Sequence, residues 1–307
     1  MLGRTGVEVS VAGLGCGGHS RLGRSTGATE AESIGLVQRA LDLGVNYIDT
    51  ARAYGTEEIV GKALVGRRDQ VVVSTKANPQ NRQGRLDAAA LRESVELSLR
   101  RLRSDHIDVF HLHGVTEPVY SHCVGELVPE LQRLRDGGAI RFVAISEAFA
   151  ADPTHRMFER ALDDDCWDVV MVGFNPLNQS ARSRVLARTQ EQRIGVEVMF
   201  AVRRALSQPD ELRRVVASLV DEGHIAPDEL DADDPLSFLV HDGCGSVVEA
   251  AYRFARHEPG CHVILTGTGN PAHLEENITS INGPALPAED ADRLRNVLGR
   301  LDHLSGN

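Results

Sequence analysis

Lysine is almost missing from this 307-residue chain: Lys62 and Lys76 are the only two, and the remaining 31 of its 33 basic residues are arginine. Long apolar runs are missing too, none approaching the ~18 residues that a membrane-crossing helix needs. The opening Met1-Leu2-Gly3-Arg4-Thr5-Gly6 lacks the apolar core of a signal peptide, which points to a cytoplasmic home. There is no basic excess. Acidic residues number 44 and the net charge is −11, which argues against broad binding to nucleic acid or to an anionic membrane surface. Cys16, Cys123, Cys166, Cys244 and Cys261 are odd in number and scattered without a C-x-x-C pair, so they read as reduced structural thiols rather than a disulfide framework or a cysteine zinc site. Aromatic residues reach only 4%, which disfavours a pocket built as an aromatic cage for large flat molecules and favours a polar or sugar-like substrate. No signature of a particular oligomeric state is present.

What is there is core-forming and regular. Hydrophobic residues make up 42% of the chain, and a length near 300 suits one large domain, since closed α/β barrels of ~250 residues stay single. Three short apolar runs each end in a polar group: Val45 to Asp49, Val71 to Lys76, and Ile107 through His111 to His113. If each run is a strand, its last residue lies at the strand's carboxyl end, where a parallel barrel keeps its chemistry. Asp49, Tyr54, Lys76 and His113 then converge on one mouth. Asp49 would hold the Lys76 ammonium charged and aimed, and that charge would favour the phenolate of Tyr54, lowering its pKa from ~10. A tyrosine so tuned exchanges protons near neutral pH. In a chain that uses arginine elsewhere, a strand-end lysine points to chemistry that arginine cannot perform.

Strands and helices alternate along the chain. Thr5 to Ser10 reads as a hairpin across the barrel floor and Val11 to Gly18 as the first strand. Gly13, Gly15 and Gly18 satisfy G-x-G-x-x-G, but that fingerprint must open directly into a helix, and here the polar loop His19 to Ala28 intervenes. Thr29-Glu30-Ala31-Glu32 is a capping box that starts the first helix, which ends before Gly44. Helices follow at Thr56 to Val65, Ala88 to Leu102, Glu126 to Asp136, His155 to Asp163, Ser180 to Gln192, Ser246 to His257 and Pro271 to Ile278. The later strands are Ile140 to Ser146, Trp167 to Asn175, Ile194 to Val202 and Val263 to Gly267. Eight such pairs predict one (β/α)8 TIM-barrel domain over residues 1–307, with a long insertion from Gln208 to Gly243 after the seventh strand and a terminal helix from Ala288 to Leu301.

His111 and His113 form an H-x-H pair, which also suits a metal-dependent hydrolase barrel. Such a barrel needs further ligands on other strands, and the ends Ile145-Ser146-Glu147, Phe174-Asn175 and Thr266-Gly267 add no histidine or aspartate cluster. No metal site is therefore expected at the mouth, and His111 reads as a pocket wall or core histidine.

The stretch Asp49-Thr50-Ala51-Arg52-Ala53-Tyr54-Gly55, the strand end Val73-Ser74-Thr75-Lys76 and the strand end Asp108 to His113 together resemble the aldo-keto reductase superfamily. The resemblance implies a reductase or alcohol or sugar dehydrogenase in which Asp49, Tyr54, Lys76 and His113 are catalytic. It also implies a nicotinamide cofactor, NADPH by family habit, with NADH left open because Gly269 stands where many relatives carry a basic residue. Ser146 falls on the family's carboxamide-holding serine. Glu147 replaces its asparagine, Met171 replaces a glutamine, and Asn175 keeps the asparagine that follows. Met199 or Phe200 would stack on the nicotinamide, and Arg203 and Arg204 lie where the pyrophosphate is bound. Gly267, Thr268, Gly269, Asn270, Glu276 and Asn277 resemble the adenosine-binding segment. The implied partner is a small carbonyl or sugar-like molecule. The altered contacts leave room for one alternative, a cofactor-binding redox sensor with little turnover.

Overall fold

The computed structural model describes residues 1–81 and 84–306. Eight parallel strands close into a barrel: β1 (Ala12–Gly15), β2 (Tyr47–Asp49), β3 (Val72–Ala77), β4 (Ile107–Val115), β5 (Ile140–Glu147), β6 (Val169–Gly173), β7 (Gly195–Met199) and β8 (Val263–Thr266), each paired with its neighbours in chain order and β8 closing on β1. Helices α1 (Glu30–Asp42), α2 (Glu57–Ala63), α3 (Ala88–Leu102), α4 (Glu117–His122), α5 (Val128–Asp136), α6 (Arg156–Ala161) and α7 (Ala187–Gln192) lie between successive strands. After β7 come α8 (Arg204–Ser207), α9 (Pro209–Asp221) and α10 (Val247–Arg256), and after β8 come α11 (Pro271–Ile281) and α12 (Ala288–Leu298). None of these helices is long and apolar enough to cross a membrane.

Local chemistry explains the boundaries. At α1 the Thr29 hydroxyl accepts from the Glu32 N–H at 3.2 Å and the Glu32 carboxylate accepts from the Thr29 N–H at 2.6 Å, the reciprocal pair that the sequence announces. The helix expected from Glu126 starts earlier. A π-turn, Cys123–Leu127, joins α4 to α5, and Pro129 supplies the reason: its ring excludes a normal bond to the carbonyl four residues back.

The barrel floor corrects the expected hairpin. Residues Gly3–Thr5 form a 3-10 turn, and Val7, Val9 and Ser10 continue without a ladder among the described residues. One bond, Leu2 N–H to the Val7 carbonyl at 2.8 Å, closes the turn and drops the Leu2 side chain into a cluster with Tyr47, Val72, Val109, Ala144, Val169 and Val263. Above that apolar layer the inward register passes to polar groups, because two-residue alternation aligns Asp49 with Tyr47, Ser74 and Lys76 with Val72, and His111 and His113 with Val109.

The insertion after β7 is a packed element. Helix α9 buries Leu212, Val216 and Leu219, and in its acidic run the Asp231 carboxylate accepts the N–H groups of Asp233 and Asp234, each at 2.8 Å. The carboxyl-terminal segment beyond α12 crosses to the loops after β6 and β7. Asn178 Nδ2 donates to the carbonyls of Asp302 and Leu304 at 3.3 and 2.8 Å, and the Ala205 N–H donates to the Gly306 carbonyl at 3.1 Å.

Candidate active site

β2 and β3 run side by side with Asp49 opposite Ser74, which puts Lys76 one inward position further up. Its Nζ lies 2.5 and 2.6 Å from the two Asp49 oxygens and 3.0 Å from the Thr50 carbonyl, while the Ser74 hydroxyl donates to Asp49 at 2.9 Å. Lys76 is 1% exposed. Burial by itself lowers the Lys76 pKa, but the Asp49 charge outweighs it and the ammonium is held above its ordinary value. Burial also pushes Asp49 upward and Lys76 offsets this only in part, while the close contacts of Nζ with both carboxylate oxygens mark the two as an ion pair.

Tyr54 sits on the 3-10 turn Arg52–Tyr54 after β2, and its ring lies 5.2 Å from Lys76 Nζ. Its hydroxyl is 3.3 Å from His113 Nε2, and the two rings meet edge to face with centroids 5.5 Å apart. The seat for the ring is a glycine: a Cβ on Gly17 would stand 2.5 to 2.7 Å from three of its carbons. The expected lowering of the Tyr54 pKa is corrected. Burial raises it, and the opposing pull of Lys76 is too small to reverse the sign. Tyr54 is therefore a protonated phenol. His113 goes the other way, to about 3, through burial, then the Lys76 charge, then His111, so its imidazole is neutral.

His111 is fully buried and its Nε2 lies 2.9 Å from Glu197 Oε1, which also accepts the Tyr47 hydroxyl at 2.5 Å. His111 and His113 thus face different partners, and His111 is the core histidine expected of it. Glu197 escaped sequence reading. Its signal was a single acid in the apolar run Gly195-Val196-Glu197-Val198-Met199, at a position two-residue alternation turns inward.

The residues assigned to cofactor binding fall into three groups. Ser146 is inward and buried, and its Oγ accepts the Gly114 N–H at 2.9 Å, leaving its own hydrogen to donate. Glu147 is turned away, accepting the Gly173 N–H at 2.8 Å and pairing with His155 Nδ1 at 2.8 Å. Asn175 is occupied in building its loop: Oδ1 accepts from the N–H groups of Leu177 and Asn178, and Nδ2 donates to the Phe200 carbonyl at 3.1 Å. Met199 ends β7, and Phe200 follows with a positive φ of 64°. The Phe200 ring stacks on Phe149 at 6.0 Å, and the Arg203 guanidinium carbon stands 4.0 Å from the Phe200 centroid. Phe149, also missed from sequence, lies over Gly173, where a Cβ would meet its ring at 2.5 Å. Arg204 is exposed and paired with Glu211.

The third group is at α11. Asn270 caps it, Oδ1 accepting the Ala272 N–H at 2.9 Å, and the Asn270 N–H donates to the Thr268 hydroxyl at 3.0 Å. Gly267 packs on the Gly15 carbonyl and Gly269 on the Gly23 backbone, which closes the loop after β8 against the loop after β1. Asn277 donates to Thr266 Oγ1 at 2.9 Å, and Glu276 is exposed beside it. The start of α11, with no acidic residue in its first turn, suits an anion, whereas the Phe200 ring is already packed against Phe149 and the Arg203 guanidinium, so the phosphate end is the part of a dinucleotide that the residues present suit.

Fold and site together define an oxidoreductase of the (β/α)8 class. Residues 13–298 match the aldo/keto reductase family, and the chain belongs to it. It is similar to the aldo-keto reductase YhdN of Bacillus subtilis (strain 168), 28% identical over 336 aligned residues covering 96% of this chain and 91% of that one. Over a shorter stretch of 152 residues, 47% of each chain, it is 34% identical to L-galactose dehydrogenase of Arabidopsis thaliana. Among solved structures, aldo-keto reductase AKR11C1 from Bacillus halodurans in its holo form superposes with a TM-score of 0.73 over 97% of this chain and 95% of that one, at 23% identity, a likeness of fold. Aldo-keto reductases use nicotinamide cofactors and act on small carbonyl compounds.

Proposed function

We propose that this chain is an NAD(P)(H)-dependent oxidoreductase that interconverts an aldehyde, ketone or sugar carbonyl with its alcohol, Tyr54 being the proton donor and acceptor. The observation that carries the reading is the Tyr54 hydroxyl, 3.3 Å from Nε2 of a neutral His113, with the Lys76 ammonium 5.2 Å from the ring. A bound reduced nicotinamide supplies the hydride that the carbonyl carbon receives. Tyr54, kept protonated by burial, gives its proton to the carbonyl oxygen as charge develops there. His113, neutral and with Nε2 facing the Tyr54 hydroxyl, would orient that oxygen by hydrogen bonding. Lys76 stabilises the tyrosinate left behind, and Asp49 keeps Lys76 charged and in place. In the alcohol-oxidising direction Tyr54, as tyrosinate beside Lys76, would take the proton of the alcohol.

Ser146 would hold the carboxamide, Phe200 with Met199 the nicotinamide face, Arg203 and Arg204 the phosphates, and Gly267 to Asn270 with Glu276 and Asn277 the adenosine end. Family habit favours NADPH, while the neutral Gly269 keeps NADH in play. The low aromatic content and the similarity to L-galactose dehydrogenase favour a sugar-like substrate. A cytoplasmic setting and a single catalytic domain complete the reading.

The displaced Glu147, Met171 in place of an amide, and the occupied Asn175 favour a second reading, a redox sensor that binds cofactor without turnover. One experiment separates them: titrate the protein with NADPH and NADH, then follow the reduced-nicotinamide absorbance against an aldehyde and sugar panel, with Tyr54→Phe in parallel. The enzyme reading expects turnover that falls by about 10²- to 10⁴-fold in the variant at unchanged cofactor affinity. Tight binding with no turnover on any substrate favours the sensor, and absence of binding overturns both.

A further inference from the structure

We propose that Glu222, His224 and His303 form a binding site for a divalent transition-metal ion of the zinc class, and that the bound ion clips the carboxyl-terminal segment to the insertion after β7. One donor atom of each residue lies within 4.8 Å of the others. His224 Nε2 is already 3.4 Å from Glu222 Oε2. Metal–donor bonds of ~2.0–2.1 Å at tetrahedral angles set neighbouring donors roughly 3.3 Å apart, so one edge of the polyhedron is in place. The His224 and His303 rings have centroids 4.5 Å apart. Two imidazoles and a carboxylate are a donor set suited to zinc and its neighbours, with water completing the shell at this exposed position.

The scaffold under these side chains is rigid. Glu222 is the C-cap of the 13-residue α9, Gly223 takes the left-handed conformation with φ 74°, and the His224 N–H donates back to the Leu219 carbonyl at 2.8 Å. Arg300 fixes the His224 carbonyl with two bonds, at 3.0 and 2.5 Å, and its charge is met by Glu229 at 3.2 Å. The carboxyl end of the α9 dipole carries partial negative charge and favours a cation there. The third ligand comes from elsewhere in the chain. His303 lies between Asp302 and Leu304, whose carbonyls take Asn178 Nδ2, and three residues before Gly306, which caps the Ala205 N–H. An ion shared by α9 and His303 therefore braces the segment that supports the loop carrying Phe200 and Arg203.

The test is isothermal titration of untagged, chelator-stripped full-length protein with Zn²⁺, and Co²⁺ titration followed by visible d–d absorption. The proposal expects one saturable equivalent in the wild type, lost in His224→Ala and in His303→Ala and retained in His273→Ala, an exposed histidine on α11. All three replace exposed side chains, and circular dichroism checks that each variant is folded. Limited proteolysis near the carboxyl terminus should slow on adding Zn²⁺ to the wild type and remain unchanged in His303→Ala. No saturable equivalent in the wild type, or one that survives both ligand variants, overturns the site. Binding without protection of the segment overturns the clip.

Discussion

A lysine side chain with 1% exposure stays charged inside a barrel only because its partner is equally buried, and Lys76 and Asp49 show both halves of that bargain. Beside them His113 has no such partner and stays neutral, its pKa moved from 6.5 to about 3. The sign of the pH effect follows. In the unfolded chain the imidazole takes a proton near 6.5, whereas in the folded one it refuses it down to about 3. Between these values the unfolded state binds more protons, so this contribution to stability is present above the window and is lost as pH falls through it. His113→Gln, with no imidazole to protonate, should lose less stability than the wild type across that window, read as urea midpoints on either side of it; equal losses would contradict the assignment. The four residues of this site were legible because each ends or follows an apolar run, where strand geometry alone fixes the direction it faces. Glu197 was not, because a lone acid within a strand gives no sign of whether Tyr47 and His111 will meet it. Burial, which decides the sign at Tyr54, is a property of the assembled mouth and cannot be read from neighbours in sequence.

The start of α1 was fully legible, since its capping box, Thr29 with Glu32, contains its own hydrogen-bond partners. Strands were placed correctly, but their ends were not: the run Ile194 to Val202 yields β7 over Gly195–Met199 only, because Phe200 leaves the extended region with φ 64°. A bulky residue in that conformation is strained, and strain of this kind is kept where a side chain must be aimed. The loop after β1 carries the matching device. Gly17 falls between the fingerprint glycines Gly15 and Gly18, and its neighbour is the Tyr54 ring. Gly17→Ala should leave circular dichroism unchanged and lower turnover on the best substrate of the panel by roughly 10²-fold, the scale expected for a catalytic group displaced by about 1 Å. Wild-type turnover would mean that the ring is not seated on Gly17. The floor was misread because alternating Val7 and Val9 suggest a ladder, whereas the turn at Gly3–Thr5 points Leu2 inward as a plug.

At the scale of the whole molecule the two barrel ends divide the work: the floor is apolar and closed, and the mouth gathers the titrating groups. The eightfold alternation was readable because each unit repeats the same apolar periodicity. The path of the carboxyl-terminal segment was not, since its anchors, Asn178 to Leu304 and Ala205 to Gly306, join residues more than a hundred positions apart. The scarcity of lysine, met first as a matter of composition, acquires a practical meaning once the chain is folded. Lys76 offers no side-chain surface, while Lys62, at the end of α2 and paired with Glu30 at 2.5 Å, keeps 30% of its own. An amine-directed acylating reagent should therefore mark Lys62 and no other lysine in the native protein, with Lys76 appearing in peptide maps only after denaturation. Early labelling of Lys76 would overturn the buried pair. Lys62 is thus the one lysine side chain on the outer wall through which a dye or a surface linker can be attached, while Lys76 stays out of the reagent's reach.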